Sequence, residues 1–234
     1  MNAKSVIRVR NAAMAMLLSL TVLIPIHGAS AGQVYKHGDP NRSRIAITVD
    51  DCFDLGILQD MLDLFSRENV RVTFYPVGRF IKEKDRELWL RVINDGHEIG
   101  NHTYNHKKLT NLTGNRIREE LKMAQKALNK ALGFDYSMRT MRPPYGSFNA
   151  NKTLQKIYRS GWPNVIFWSV SQGNADKAIE KIRGGSVCLF HTIKRDYNSL
   201  TRLIPQLKEM GFEMVTVSEL FGFDNVLPEG GGPL

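Results

Sequence analysis

Two adjacent aspartates and two histidines four residues apart are the residues in this sequence best suited to chemistry. Asp50 and Asp51 follow the apolar run Ile45–Val49, and His102 and His106 lie about fifty residues later. One carboxylate and two imidazoles form a mixed ligand set suited to zinc, with room left for a reactive water. The second carboxylate remains available to move protons, so the four residues predict a metal-assisted hydrolytic site.

Each half of this pattern also has a simpler interpretation. Adjacent aspartates can cap a helix, and a helical pattern begins directly after Asp51. Exposed histidines at this spacing are common by chance. Because neighbouring carboxylates repel each other, both stay ionised only beside a cation or an arginine. Asp51 could therefore bind a metal while Asp50 pairs with Arg142.

The elements that must position these residues alternate short β-rich runs with longer amphipathic runs. The predicted strands are Ile45–Val49, Arg71–Pro76, Glu98–Asn101, Thr140–Arg142, Val165–Val170, Ser186–Phe190 and Glu213–Val217. The predicted helices are Leu55–Glu68, Asp85–Asp95, Asn115–Leu132, Asn151–Ser160, Ala175–Ile182 and Ser199–Met210. Seven βα units in about 180 residues predict an α/β fold, a small closed barrel of parallel strands, with an open doubly wound sheet as the alternative.

The N-terminal residues have the basic, apolar and small-residue order of a secretory signal peptide. Three basic residues precede an apolar stretch that ends before Ala29-Ser30-Ala31. The sequence predicts export, to the medium or the cell envelope, with cleavage near Ala31; a permanent membrane anchor is the alternative. The predicted boundaries are 1–31 for the signal peptide, 32–43 for an N-terminal extension, 44–223 for a single domain and 224–234 for a flexible tail.

The charge of the chain restricts its partners. The formal net charge of +9 predicts electrostatic association with an anionic cell wall or membrane surface, with a solvated basic face as the alternative. No basic cluster is interleaved with aromatic residues, so a nucleic-acid partner is not expected. The chain is predicted to be a monomer.

The chain has two cysteines, Cys52 and Cys188. An exported protein can form disulfides, and Cys188 lies three residues before His191, so the two sulfurs could meet if both regions line one site. Two buried free thiols are the favoured interpretation, and a disulfide is the alternative.

Two further segments are expected at the mouth of the barrel, because functional residues gather at the carboxyl ends of parallel strands. The segment from Arg142 to Gly146 follows the fourth predicted strand. Its two prolines make it rigid and leave the Tyr145 N–H free to face a ligand, although an ordinary turn would look the same. His191 ends an apolar run where structural histidines are usual, yet its place at this mouth makes it a candidate general acid.

Four segments, taken in order, resemble motifs of the polysaccharide deacetylases of carbohydrate esterase family 4, the NodB homology domain. They are Thr48-Val49-Asp50-Asp51, His102-Thr103-Tyr104-Asn105-His106, Arg142-Pro143-Pro144-Tyr145 and Leu189-Phe190-His191. The likeness covers about residues 44 to 223. It implies a distorted (β/α) barrel and a divalent metal, usually zinc and with cobalt as an alternative, bound by Asp51, His102 and His106.

The resemblance also implies roles for the other motif residues. Asp50 is expected to be the general base and His191 the general acid, while Arg142 orients Asp50. The Tyr145 N–H is expected to stabilise the oxyanion, and Leu189 to line the pocket for the acetyl methyl. The implied activity removes N-acetyl groups from an N-acetylglucosamine polymer such as peptidoglycan, a chitin oligomer or an exopolysaccharide. The alternatives are a degenerate glycan-binding member without turnover, and an esterase or cyclic amidase that uses the same site.

The chain departs from the family pattern in two places. Cys52 stands where the first motif usually has glycine. The fourth motif, an aspartate followed closely by Asp-Trp, should fall within Trp168–Gly173, where Ser171 replaces the aspartate and the Asp-Trp pair is missing. Asp176 is interpreted as part of the next helix. Because this motif helps tune the catalytic histidine in the family, the resemblance leaves open what controls protonation of His191.

Overall fold

The computed structural model describes residues 33–149, 152–171 and 173–223, which belong to a single compact unit. The predicted signal peptide and the predicted C-terminal tail lie outside the described residues. In the described part of the chain, no helix has both the length and the apolarity needed to cross a membrane.

The described residues contain eight strands, most of them separated by helices, and every pairing between these strands is parallel. The strands are β1 (Gln33–Tyr35), β2 (Arg44–Asp51), β3 (Thr73–Pro76), β4 (Glu98–Ile99), β5 (Thr140–Met141), β6 (Asn164–Ile166), β7 (Val187–His191) and β8 (Glu213–Met214). The helices are α1 (Leu55–Glu68), α2 (Arg86–Asn94), α3 (Gly114–Leu132), α4 (Lys152–Tyr158), α5 (Ala175–Ile179), α6 (Lys194–Glu209) and α7 (Val217–Phe221).

The strands form two sheets that meet at both edges. One sheet has the order β4-β3-β2-β7, with β8 paired to the start of β2, and the other has the order β1-β6-β5. Single bridges join Asn101 to Met141 and Val170 to Cys188, so each edge of the first sheet meets the second. The result is a closed but irregular ring, which confirms the predicted single-domain distorted barrel.

Several details of the prediction were wrong; for example, the strand predicted to end at Val170 ends at Ile166, and the helix predicted to end at Ile182 ends at Ile179. The predicted extension contains β1, which pairs with β6 and adds an eighth strand. The last predicted strand stops at Met214, because Thr216 and Glu219 form a capping box that starts α7 at Val217. Helix α6 begins at Lys194, five residues before the predicted start.

Side chains on the two faces of β2 pack in two different hydrophobic clusters, and this alternation determines the face on which Asp50 lies. Ile45, Ile47 and Val49 pack in a cluster with residues of α1 and α6, whereas Ala46 packs in a cluster with residues of β3, β6 and β7. Because side chains alternate along a strand, Asp50 shares the inward face of β2 with Ala46. A carboxylate is thereby placed inside the carboxyl end of the barrel.

Candidate active site

Asp50 is a buried carboxylate, 4% exposed, and it is paired with a fully buried guanidinium. Arg142, which follows β5, donates from Nη1 to Asp50 Oδ1 at 2.7 Å and to Thr48 Oγ1 at 2.7 Å. Its Nε and Nη2 donate to the carbonyl oxygens of Ile166 and Phe167 at 3.3 and 3.1 Å. The ion pair offsets the cost of burying both charges. Arg142 occupies Oδ1 of Asp50, while Oδ2 faces His102.

Asp51 approaches both histidines. Its Oδ1 lies 3.4 Å from His102 Nε2 and 3.1 Å from His106 Nε2. Burial alone would raise the pKa of Asp51, but its interactions with the two imidazoles outweigh this effect, so the pKa lies well below its usual range. The structure therefore brings together the three residues that the sequence predicts as metal ligands.

The donor atoms of this cluster fit a small divalent cation. They all lie within 4.8 Å of one another, and the two measured separations match those of ligands at about 2.0–2.2 Å in a tetrahedral site. His102 Nδ1 donates to the carbonyl oxygen of Arg142 at 2.7 Å, which leaves Nε2 with its lone pair directed toward Asp51 and His106. Three protein donors would leave one position open.

A buried glutamate on α3 holds the loop that carries both histidines. Glu120 accepts hydrogen bonds from the backbone N–H groups of Tyr104 and Asn105 at 3.2 and 2.7 Å, and from Asn105 Nδ2 at 2.9 Å. The sequence prediction missed this residue. Its signal is a carboxylate on the apolar stripe of α3, three residues after Ile117 and four before Ala124, both of which are buried.

Left-handed backbone conformations concentrate at the mouth. Six described residues other than glycine have positive φ, and five of them are Asp51, Cys52, Thr103, His106 and Tyr145. Such conformations cost about 1–2 kcal/mol each. The φ of 71° at Asp51 interrupts the alternation of side chains between the two faces of β2. The φ of 54° at Cys52 is a conformation that glycine adopts without strain, which explains why the motif that this segment resembles usually has glycine there.

His191 faces Asp50 across β2 and β7, whose register pairs these two residues. Asp196, only 1% exposed, accepts from the His191 backbone N–H at 2.8 Å with Oδ2, which also lies 3.4 Å from His191 Nδ1. Arg195 Nε donates to the other oxygen at 2.9 Å. The Asp196 carboxylate raises the pKa of His191 above its ordinary value, against the opposing effect of burial.

Asp196 was also missed by the sequence prediction, because it lies in the first turn of α6. The neighbouring candidates do not take this place in the structure. Ser171 is exposed, and Asp176 lies on α5, as predicted, where it pairs with Arg202 at 2.7 Å. The carboxylate that contacts His191 is therefore that of Asp196, which lies after β7 in the first turn of α6.

Leu189 and Tyr145 complete the predicted set. Leu189 pairs with Thr48 two residues before His191, so its side chain shares the inward face of β7 with that histidine. Tyr145 is 64% exposed, and its ring centroid lies 4.5 Å from that of His106. Among the described residues, the Tyr145 backbone N–H has no protein acceptor.

Both cysteines are free and buried, as the favoured interpretation predicted. Burial raises the pKa of Cys188 to about 12 and that of Cys52 well above its usual value. Neither thiol is therefore a nucleophile at neutral pH.

The parallel barrel and the polar groups at its mouth define an α/β-barrel enzyme, and comparison with known sequences identifies its family. The profile of the family described as "Polysaccharide deacetylase" matches residues 37–161. The chain belongs to this family of hydrolases.

Two named relatives act on bacterial cell-wall glycans. The peptidoglycan-N-acetylglucosamine deacetylase of Bacillus cereus is 31% identical over 198 residues, which cover 79% of this chain and 70% of that protein. The peptidoglycan-N-acetylmuramic acid deacetylase PdaA of Bacillus subtilis is 30% identical over 196 residues, covering 78% and 73%. The two relatives are named for different sugars.

Solved structures agree with the barrel. The Bc1960 peptidoglycan N-acetylglucosamine deacetylase superposes with a TM-score of 0.73 at 30% identity, over 81% of this chain and 92% of that one. BA3943, a carbohydrate esterase family 4 pseudoenzyme from Bacillus anthracis, has a TM-score of 0.72 at 24% identity, over 81% and 69%. This second likeness shows the fold alone.

Proposed function

We propose that the chain is an exported, metal-dependent deacetylase that removes N-acetyl groups from peptidoglycan or a related polymer containing N-acetylglucosamine. The observation that carries the proposal is the convergence of a three-donor cluster, an arginine-paired aspartate and an aspartate-paired histidine at one barrel mouth. Family membership supports the reaction, and the names of the relatives support the polymer.

Asp51, His102 and His106 would hold the cation, with zinc as the first candidate and cobalt as the second. A bound divalent cation would polarise a water and the acetamide carbonyl, which strengthens the nucleophile and stabilises the negative charge that develops on the carbonyl oxygen.

Asp50 is the general base of the proposed reaction. Because Arg142 occupies Oδ1, Asp50 accepts the proton of the attacking water at Oδ2. The water oxygen bonds to the carbonyl carbon, and the Tyr145 N–H donates a hydrogen bond to the carbonyl oxygen as charge develops there. Leu189 receives the acetyl methyl on the inward face of β7.

His191 is the general acid. With Nδ1 directed to Asp196, its Nε2–H gives a proton to the amide nitrogen as the carbon–nitrogen bond breaks. Acetate and a free amine on the sugar are the products. Asp196 acts on His191 without contacting the substrate, so it is a positioning residue, and it compensates for the aspartate missing near Ser171.

Export is supported by the sequence of residues 1–31 and suits a polymer that lies outside the cytoplasm. The positive net charge supports electrostatic association with an anionic wall or membrane surface. We propose a monomer as the working form, because the residues of the site all come from one chain.

The decisive experiment measures acetate release from peptidoglycan, chitin oligomers and acetylated xylan. We expect release from an N-acetylated glycan, loss on chelation, and recovery with zinc or cobalt. Asp50→Asn should lower the rate by a factor of about 10² or more. Asp60→Asn, at an exposed position on α1, is the matched control.

Binding of glycan without acetate release at saturating metal would overturn the proposal in favour of a binding protein. Acetate release from xylan alone would identify an esterase.

A further inference from the structure

A groove opens beside the Asp51–His102–His106 cluster and shares one of its residues. Its volume is about 330 Å³. Its lining residues are His106, Lys107, Lys108, Asn111, Leu112 and Tyr145. We name it the lysine groove. Because His106 belongs to both the groove and the cluster, the groove is close enough to contact a sugar whose acetamide reaches the cluster, or the neighbouring sugar.

The two lysines of this groove have no partner of opposite charge. Lys107 and Lys108 are exposed, and within residues 33–149, 152–171 and 173–223 neither forms an ion pair. Arg116, on the following helix, is by contrast paired with Glu119 at 2.7 Å. The Lys108 ammonium instead lies 5.7 Å from the centre of the Tyr145 ring. The groove therefore combines two available cations with an exposed aromatic ring.

The segments that follow three strands at the mouth carry more basic than acidic residues. These strands are β3, β4 and β7. The basic residues are Arg79, Lys82, Lys84, Lys107, Lys108, Lys194 and Arg195; the acidic residues of the same segments are Glu83, Asp85 and Asp196, and β2 contributes Asp50, Asp51 and the following Asp54. A surface of this kind attracts anionic polymers, and the attraction weakens as added salt screens the charges.

We propose that the lysine groove binds a carboxylate carried by the sugar that is deacetylated or by its neighbour, so that the preferred substrate is an acidic N-acetylated glycan. The inference rests on the proposed function and deepens it. Two sources offer this chemistry: the lactyl ether of N-acetylmuramic acid and the carboxylate of a uronic acid. Either places a carboxylate beside N-acetyl groups, whereas a chitin oligomer presents only neutral hydroxyl and acetamido groups to the lysines.

The test compares kcat/KM for three soluble oligomers with the full chain in the presence of zinc. They are a chitin oligomer, a peptide-free peptidoglycan glycan strand whose N-acetylmuramic acid has a free lactyl carboxylate, and an oligomer that alternates N-acetylglucosamine with glucuronic acid. We expect at least one acidic oligomer to exceed the chitin oligomer in kcat/KM, with a preference that shrinks as salt rises. The identity of the better acidic oligomer assigns the carboxylate.

Charge removal in the groove should reduce this preference. In Lys107→Gln/Lys108→Gln we expect the acidic-to-neutral ratio of kcat/KM to fall about tenfold, chiefly through KM, as suits two exposed charge contacts. Lys107→Arg/Lys108→Arg should restore the ratio. Lys122→Gln/Lys126→Gln, which removes the same charge from exposed positions on α3, is the matched control and should leave the ratio unchanged.

The inference is overturned if the wild-type protein does not prefer either acidic oligomer, or if both double Gln variants change the ratio equally. Acetate release from the chitin oligomer in those cases leaves the proposed function standing. No acetate release from any of the three oligomers overturns the proposed function itself.

Discussion

Replacing Asp196 by asparagine isolates the charge that faces His191. The variant retains a carbonyl oxygen that can accept from the His191 backbone N–H, for which the distance is 2.8 Å in the native chain. It loses the negative charge 3.4 Å from His191 Nδ1. Because that charge raises the pKa of His191, its removal lowers the pKa, and the imidazolium is lost at a lower pH. The alkaline limb of the kcat profile should therefore move to lower pH.

The size of the effect follows from the geometry. A hydrogen bond to a charged group contributes about 1.5–3 kcal/mol and a neutral one about 1 kcal/mol. The 3.4 Å separation is long, and 37% of the His191 side chain is exposed, so solvent screening favours the lower end of this range. The charge therefore contributes about 0.5–1 kcal/mol, and its loss corresponds to about a two- to fivefold fall in kcat on the alkaline side.

The assay measures kcat and KM for acetate release between about pH 5 and pH 9, the range that brackets an imidazole. Activity of Asp196→Asn should approach that of the native chain as the pH falls, with KM changed by less than about twofold, because the residue does not contact substrate. Asp176→Asn, in an exposed pair with Arg202, is the matched control. A pH-independent loss, or an alkaline limb that stays in place, would refute the role assigned to Asp196.

Three more predictions concern stability, metal affinity and thiol reactivity. Arg142→Met should lower the free energy of unfolding by about 3–5 kcal/mol in urea denaturation, because it leaves the buried Asp50 carboxylate unpaired. Glu120→Gln should weaken zinc binding about tenfold in calorimetric titration, because the loop that carries the histidines loses its charged acceptor. Cys52 and Cys188 should not react with a thiol reagent in the folded protein, and both should react in denaturant.

Matched variants separate these effects from general damage. Arg116→Met removes an exposed ion pair with Glu119 and should cost less than about 1 kcal/mol. A similar cost for Arg142→Met would contradict the argument from burial. Glu119→Gln is the control for Glu120→Gln. Equal zinc affinities of these two variants would contradict the argument that Glu120 holds the loop that carries the histidines. Fewer than two reactive thiols in denaturant would reveal a disulfide.

The location of the site could be predicted from the sequence, because functional residues of a parallel barrel lie at the carboxyl ends of its strands. Asp50 could be assigned to the mouth from the apolar run before it, and His191 from the run that ends in it. Asp196 could not be assigned in this way. Its contact with His191 depends on how the start of α6 turns after β7, and the apolar periodicity that marks a helix begins five residues later than the helix itself.

Glu120 illustrates the second limit of sequence reasoning. Its place on the buried stripe of α3 is visible from spacing, but its partners are backbone N–H groups of a loop fifteen or sixteen residues away. Backbone donors look the same at every position of a sequence, so a hydrogen bond to them has no compositional signal. Residues that position a loop are therefore harder to predict than residues that perform chemistry.

Arg142 follows a strand of one sheet and contacts two residues of the site that lie on or after strands of the other sheet. These residues are the proposed base Asp50 and the proposed metal ligand His102. The Arg142 guanidinium, inside the ring, pairs with Asp50 on β2, while its backbone carbonyl accepts from His102 after β4. The residue follows β5, which belongs to the other sheet and meets the end of β4 through the single bridge between Asn101 and Met141. One residue beside the bridge that closes the ring thus orients both the base and the first histidine of the cluster, so a change that displaces Arg142 should disturb both groups.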